Sequence, residues 1–504
     1  MTRHPMRKRL AAAAAVLAVL GAACSGGDDA GARDRQQRPQ RQRDPDATTT
    51  TQVAGIEGIP VEDQDDAIIE ITIEEVEAFW VDQFPEVYGE PFEPVSGGFF
   101  PYGPDRPQPP CGTPAPTYDD IAQNAFYCPS DDLIAWDTDN LTNDLLAEFG
   151  QFSLVIVTAH EYGHAIQERV PVNGPTIESE QQADCFAGAF AAFVADGGSD
   201  QLAVSLADLD NAVAGFLTLR DALGTPSNDP GAHGSAFDRV GAFQDGYLNS
   251  TERCAEYEQI YDRGGTTVID IPFFDQGDVL SGGNAPFDPA VEGNIFDLSL
   301  TSLEDFWTAA MPQEFDTEWT PLAPDRIVGY TADPTSLPEC PGVEASPADL
   351  EGQAFFCVGD PDDPDDDFVA FDIENLMAPL YEQIGDFAIS ATIAQQYSFA
   401  VQEQAGNFDY DRDSSLQADC FTGAWAGQVA ADTLNRTGTV ALSPGDLDEA
   451  ITSFLILNND ANTDVTGTAF ERVTAFRDGF FNGLSQCETY LDGGAPTADA
   501  PING

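Results

Sequence analysis

Apolar side chains at Phe152, Val155, Ile156, Ala159 and Ile166 recur at helical intervals, which predicts a helix with one buried stripe. Pro171, Gly174 and Pro175 end it. A run of small apolar residues from Cys185 to Val194 predicts the next helix, stopped at Gly197-Gly198. The first pattern returns further along at Phe387, Ile389 and Ile393, inside a longer repeat. Cys111, Cys128, Cys185 and Cys254 are followed in the same order by Cys340, Cys357, Cys420 and Cys487, displaced by 229 to 235 residues. Flanking text agrees: E-A-F-W at 77–80 with E-D-F-W at 304–307, Q-A-D-C-F at 182–186 with 417–421, and A-F-D-R-V at 236–240 with A-F-E-R-V at 469–473. A period this long marks duplicated domains rather than a solenoid. At roughly 190 residues, each copy is large enough for a core of its own. The expected fold is α+β and mostly helical, with one domain at 67–264, a Gly/Pro-rich linker at 265–294 and a second domain at 295–495.

The N-terminus reads differently. Arg3, Arg7, Lys8 and Arg9 precede an apolar run from Leu10 to Ala23, too short to span a bilayer in the mature protein, so residues 1–23 read as a secretory signal. The run ends L-G-A-A-C, which resembles a bacterial lipoprotein cleavage site with Cys24 as the lipidated residue; plain secretion is the alternative. Nine cysteines become an even eight once Cys24 is set aside. Residues 24–66 hold almost nothing to bury and read as a disordered tether on a membrane anchor. Outside the cytoplasm the remaining thiols oxidise. The simplest pairing is Cys111–Cys128, Cys185–Cys254, Cys340–Cys357 and Cys420–Cys487, although cysteine order alone permits others.

Charge narrows the partners. The chain has 20 Lys and Arg against 87 Asp and Glu, and nine of the bases fall in the first 43 residues. So acidic a surface repels polyanions and excludes nucleic-acid binding. The runs Asp360 to Asp367 and Asp409 to Asp413 lack the Gly turn and closing Glu of a calcium loop and read as solvated charge.

The chemistry lies in the first predicted helix. His160 and His164 are four apart, so both imidazoles leave one face a turn apart and together can hold one zinc ion. Glu161 then points to the metal's open side. Only four histidines occur; His4 is in the leader and the other three gather here, His233 included. The pieces F-Y-C-P-S-D at 126–131, H-E-Y-G-H-A-I-Q, E-x-x-A-D-C-F-A-G from Glu180, and H-G-S-A-F-D-R at 233–239 resemble, in that order, the bacterial neutral zinc metallopeptidase family. The resemblance spans roughly Cys111 to Cys254 and belongs to the gluzincin class. It implies two tandem zincin-like domains, His160, His164 and Glu180 as ligands of one Zn²⁺ per chain, Glu161 as general base, and Asp184 orienting a ligand histidine. Glu178 is the competing third ligand. His233 is the candidate oxyanion donor, with Tyr247 and Tyr162 behind it, while Ser235 can cap the helix that follows.

The second copy departs from this pattern. A shift of 235 sets Gln395, Gln396, Phe399 and Ser415 opposite His160, Glu161, His164 and Glu180, and Thr466 lies opposite His233. That copy is expected to hold no metal and to pack against, or otherwise serve, the first. Asp419 persists opposite Asp184, so part of that residue's work is expected to be scaffolding, such as holding backbone N–H groups. The expected activity is hydrolysis of peptide or protein substrates by zinc-activated water. Alternatives are a non-catalytic surface-binding protein of the same fold and a zinc amidase acting on cell-wall peptides.

Overall fold

The computed structural model describes residues 64–492 apart from 171–174, 230, 275–278, 280–281, 332, 334–335, 337, 342–344, 360–365 and 458–462. The leader, Cys24 and nearly all of the tether lie outside the described residues, as does most of the 360–367 acidic run. The fold is α+β and mostly helical. Among the described residues no helix is long and apolar enough to cross a membrane.

Helix α1 (Gln64–Tyr88) opens the first half, so ordered structure starts slightly before the boundary expected at residue 67. Strands β1 (Gly98–Tyr102), β2 (Ala125–Cys128) and β3 (Leu133–Asp137) form a sheet in the order β1-β3-β2, with β1 parallel and β2 antiparallel to the central β3. Helices α2 (Leu141–Phe149), α3 (Gln151–Arg169), α4 (Thr176–Ala195), α5 (Leu206–Thr218), α6 (Ala236–Asn249) and α7 (Thr251–Asp262) follow. Ser205 and Ser235 accept from the backbone N–H groups of Asp208 and Asp238 and so cap α5 and α6.

The second half repeats this order. Helix α8 (Ile295–Glu314) precedes β4 (Ile327–Tyr330), β5 (Ala354–Cys357) and β6 (Phe368–Asp372), again ordered β4-β6-β5 with one parallel and one antiparallel pair. Helices α9 (Asp386–Ala405), α10 (Arg412–Asn435), α11 (Asp446–Leu457) and α12 (Ala469–Asn482) correspond to α3, α4, α5 and α6. In both halves the fourth-helix and sixth-helix equivalents cross backbone against backbone. A methyl group on Gly188 would overlap the Phe243 carbonyl, and one on Gly423 the Phe476 carbonyl, so neither position has room for a side chain. The four disulfides Cys111–Cys128, Cys185–Cys254, Cys340–Cys357 and Cys420–Cys487 are those of the simplest pairing, each closed within one half.

Two expectations need correcting. Helix α3 is not striped: 13 of its 19 residues are buried, because α1, α4, α5 and β2 pack round it. The halves also do not keep separate cores. Phe237 packs on Phe476, Phe480 and Phe481, and Phe243 and Tyr247 pack on Phe470, in one continuous apolar cluster. The junction is reciprocal. Asp448 on α11 accepts from the Phe237 N–H at the start of α6 (2.8 Å), and Asp210 on α5 accepts from the Phe470 N–H at the start of α12 (2.8 Å). Each half therefore supplies a carboxylate to the positive end of the other half's helix.

Candidate active site

Helices α3 and α4 build the site by crossing closely. A Cβ on Gly163, between the two histidines, would stand 2.9 Å from the Ala183 α-carbon, so only glycine lets α4 come this near. The crossing brings Glu180 to both imidazoles: its Oε2 lies 3.2 Å from His160 Nε2 and its Oε1 3.4 Å from His164 Nε2. The rings stand perpendicular with centroids 4.8 Å apart.

The other ring nitrogens are already engaged. His160 Nδ1 donates to Asp184 Oδ1 at 2.7 Å, and His164 Nδ1 to Gln167 Oε1 at 2.9 Å. Gln167 is held in that sense because its amide N–H groups go to the Ser179 carbonyl (2.7 Å) and Gln182 Oε1 (3.1 Å). Asp184 is clamped by Arg239, whose Nε and second guanidinium nitrogen reach its two oxygens at 2.8 and 2.9 Å. Arg239 in turn donates to the Leu219 carbonyl and lies over the Phe216 ring. With both Nδ1 atoms engaged, each imidazole turns to Glu180 its Nε2, the nitrogen that would give up its proton to bind a metal.

Electrostatics point the same way. Burial alone would depress the imidazoles, yet Asp184 and Glu180 outweigh it and raise His160 to about 10. His164 is raised against the same burial, chiefly by Glu180. Glu180 is held well below its ordinary value, the two imidazoles overcoming its own desolvation. Two nitrogens and a carboxylate that jointly favour positive charge fit a zinc ion by donor type and number.

Glu161, next along α3, lines the same cleft, and its Oε2 accepts the Tyr127 N–H from edge strand β2 at 2.9 Å. The cleft has a volume of about 650 Å³ and is bounded by the β2 edge (Ala125, Phe126, Tyr127), α3, α4 and one flank of α5 including Asn211 and Phe216.

The structure therefore gathers His160, Glu161, His164, Glu180 and Asp184 in one place. Glu178 is elsewhere: it bonds Thr266, and desolvation raises it to about 7. His233 lies on the cleft rim with its side chain 52% exposed, Nδ1 3.5 Å from Asp221. Ser235, not His233, caps α6. Tyr162 donates to Glu77 in the core, and Tyr247 stacks at the junction between halves, so neither reaches the cleft as a donor. Asp184 serves both histidine and scaffold, but the scaffold partner is a buried arginine rather than backbone N–H. Sequence reasoning assigned no role to Gln167 or Arg239. The repeat held the clue, since Gln402 and Arg472 persist at the matching positions.

At those positions the second half keeps the frame without the ligands. Arg472 clamps Asp419 (2.8 and 3.1 Å), and Gln395 Nε2 replaces the imidazole as donor to it at 2.6 Å. Gln402 still donates to Ser414 and Gln417, but its Oε1 is buried without a hydrogen bond where Phe399 has replaced the histidine. Phe399, Phe408, Tyr410 and Phe356 stack into the space and leave a cleft of about 260 Å³.

Residues 11–257 match the family described as "Putative neutral zinc metallopeptidase", and the match ends inside α7, leaving the second half outside it. The uncharacterized proteins Mb2605 of Mycobacterium bovis and Rv2575 of Mycobacterium tuberculosis are each 30% identical over 149 residues, covering 24% of this chain and 50% of theirs. The chain spans about half the length of these curated relatives. No solved structure matches it.

Proposed function

We propose that the chain is an extracytoplasmic zinc-dependent endopeptidase, tethered through Cys24, with one active site in its first half and a bracing second half. One observation carries this reading: two imidazole Nε2 atoms meet one carboxylate while both Nδ1 atoms are tied down by Asp184 and Gln167. His160, His164 and Glu180 would hold the ion, which when bound would acidify a water and polarise the scissile carbonyl. Glu161 would act as general base, accepting a proton from the attacking water and passing it to the leaving amine. The Tyr127 N–H pins Glu161 Oε2, which leaves Oε1 for the transfer. The partly buried outer edge of β2 forms one wall and suits an extended peptide, which can pair with it as an added strand beside the Tyr127 N–H that Glu161 holds. His233 on the rim donates to the carbonyl oxygen as charge develops there. The second half acts at a distance, holding through Phe470 the helix whose other flank lines the cleft. Four disulfides favour an oxidising compartment.

The test is zinc content together with Glu161→Gln. Purified protein should carry about one zinc per chain. The variant should keep that zinc and lose peptide hydrolysis by about 100-fold or more. Wild-type protein that binds zinc but cleaves nothing in a broad peptide library would leave the binding-protein reading instead.

A further inference from the structure

Three buried carboxylates in the second half have no role in the site above. Asp386 begins α9, and Asp446 and Glu449 lie in the first turn of α11. One oxygen from each lies within 4.8 Å of the others. A different backbone N–H holds each group in place: Ala285 donates to Asp386 Oδ2 (2.8 Å), Ser443 to Asp446 Oδ2 (2.8 Å) and Phe387 to Glu449 Oε2 (2.9 Å). Gly385 is needed for this seat, since a methyl group there would overlap the Glu449 carboxylate.

What remains is unmatched acceptor capacity. Asp386 is 6% exposed and Asp446 3%, and Oδ1 of each has no hydrogen-bond partner. Desolvation raises all three groups, and repulsion from Asp386 adds to it at Asp446 and Glu449; Asp386 rises to about 6 and Glu449 to about 8. Arg220 of the first half, whose charge acts on Glu449, is bound to Asp448 at 2.7 Å. The first half has Gln151, Asp208 and Asn211 at the corresponding places, two of them neutral amides. The second half has thus gained two buried carboxylates where burial of charge is costly unless something offsets it.

We propose that Asp386, Asp446 and Glu449 bind a calcium ion. The donors are all oxygen, which suits a hard cation and not zinc. Irregular spacing and carboxylates each fixed by backbone suit calcium, with its tolerant geometry, better than the octahedron magnesium demands. The ion joins the connector at Ala285 to the starts of α9 and α11, next to the Asp448 contact between halves. The expectation that the second half is free of metal then holds for zinc alone.

The experiment uses the full chain, stripped of metal by a chelator and returned to buffer. Adding 1 mM CaCl₂ should bring about one calcium per chain by elemental analysis and raise the Tm by several degrees. The same concentration of MgCl₂ should give the smaller shift. His164→Ala, which disables the zinc site, should keep the calcium response, whereas Glu449→Gln and Asp446→Asn should each lose it. The proposal is overturned if wild-type protein retains no calcium and its Tm does not move, or if Glu449→Gln leaves the shift intact.

Discussion

The two halves share a helix order, a sheet order, two disulfide positions and a buried Asp–Arg pair, yet among the described residues only the first gathers two histidines and a glutamate. Asp184 and Asp419 occupy the same place against Arg239 and Arg472. Desolvation raises both, but beside His160 the balance leaves Asp184 below the usual carboxylate range, whereas beside Gln395 it leaves Asp419 above it. The frame is thus separable from the chemistry. Packing retains the aspartate, the arginine and the glutamine of the frame, while the ligands can be exchanged for an aromatic plug. The orphaned Gln402 Oε1 marks where that exchange left a donor missing.

The comparison breaks most readily at that pair. Asp184→Asn and Asp419→Asn should each strand a buried guanidinium and cost about 3–5 kcal/mol by denaturant unfolding. Only Asp184→Asn should also weaken zinc binding, by roughly 10- to 100-fold in a chelator competition. Equal losses of zinc affinity would mean that the halves are not independent in this respect. A smaller effect probes the junction. Asp210→Ala should leave the Phe470 N–H at the start of α12 without its acceptor and cost about 1 kcal/mol, read as a lower unfolding midpoint with an unchanged slope. The last test rebuilds the lost site. Gln395→His, Gln396→Glu, Phe399→His and Ser415→Glu together should restore a partner for Gln402 and raise zinc from about one to about two per chain. A stoichiometry that stays at one would show that more than the ligands has been lost.

The histidine pair was legible because helical spacing is local: His160 and His164 share a face whatever surrounds them. Helical spacing did not separate Glu180 from Glu178; the family resemblance did, and the structure brings Glu180 to both imidazoles. The disulfides are those of the simplest pairing, which cysteine order allowed without requiring. What escaped depends on contacts distant in sequence. Gln167 and Arg239 act only once α4 has crossed α3 and α6, and sequence reasoning gave them no part. Asp386 and Glu449 are 63 positions apart and read separately as ordinary residues near helix starts. The acidic run was read as solvated charge, yet Asp366 pairs with Arg326, and buried Asp367 accepts the Gly359 N–H. That the second copy packs against the first was expected; which side chains meet was not, because two similar sequences do not say which faces they turn to each other.

Among the described residues every disulfide closes within its own half, so none of these bridges backs up the polypeptide between residues 262 and 295 as a covalent tie between the halves. A protease that nicks it should yield two bands on a non-reducing gel. The same nicked sample should still migrate as one particle on a sizing column, its pieces held by interlocking phenylalanines and the crossed aspartates.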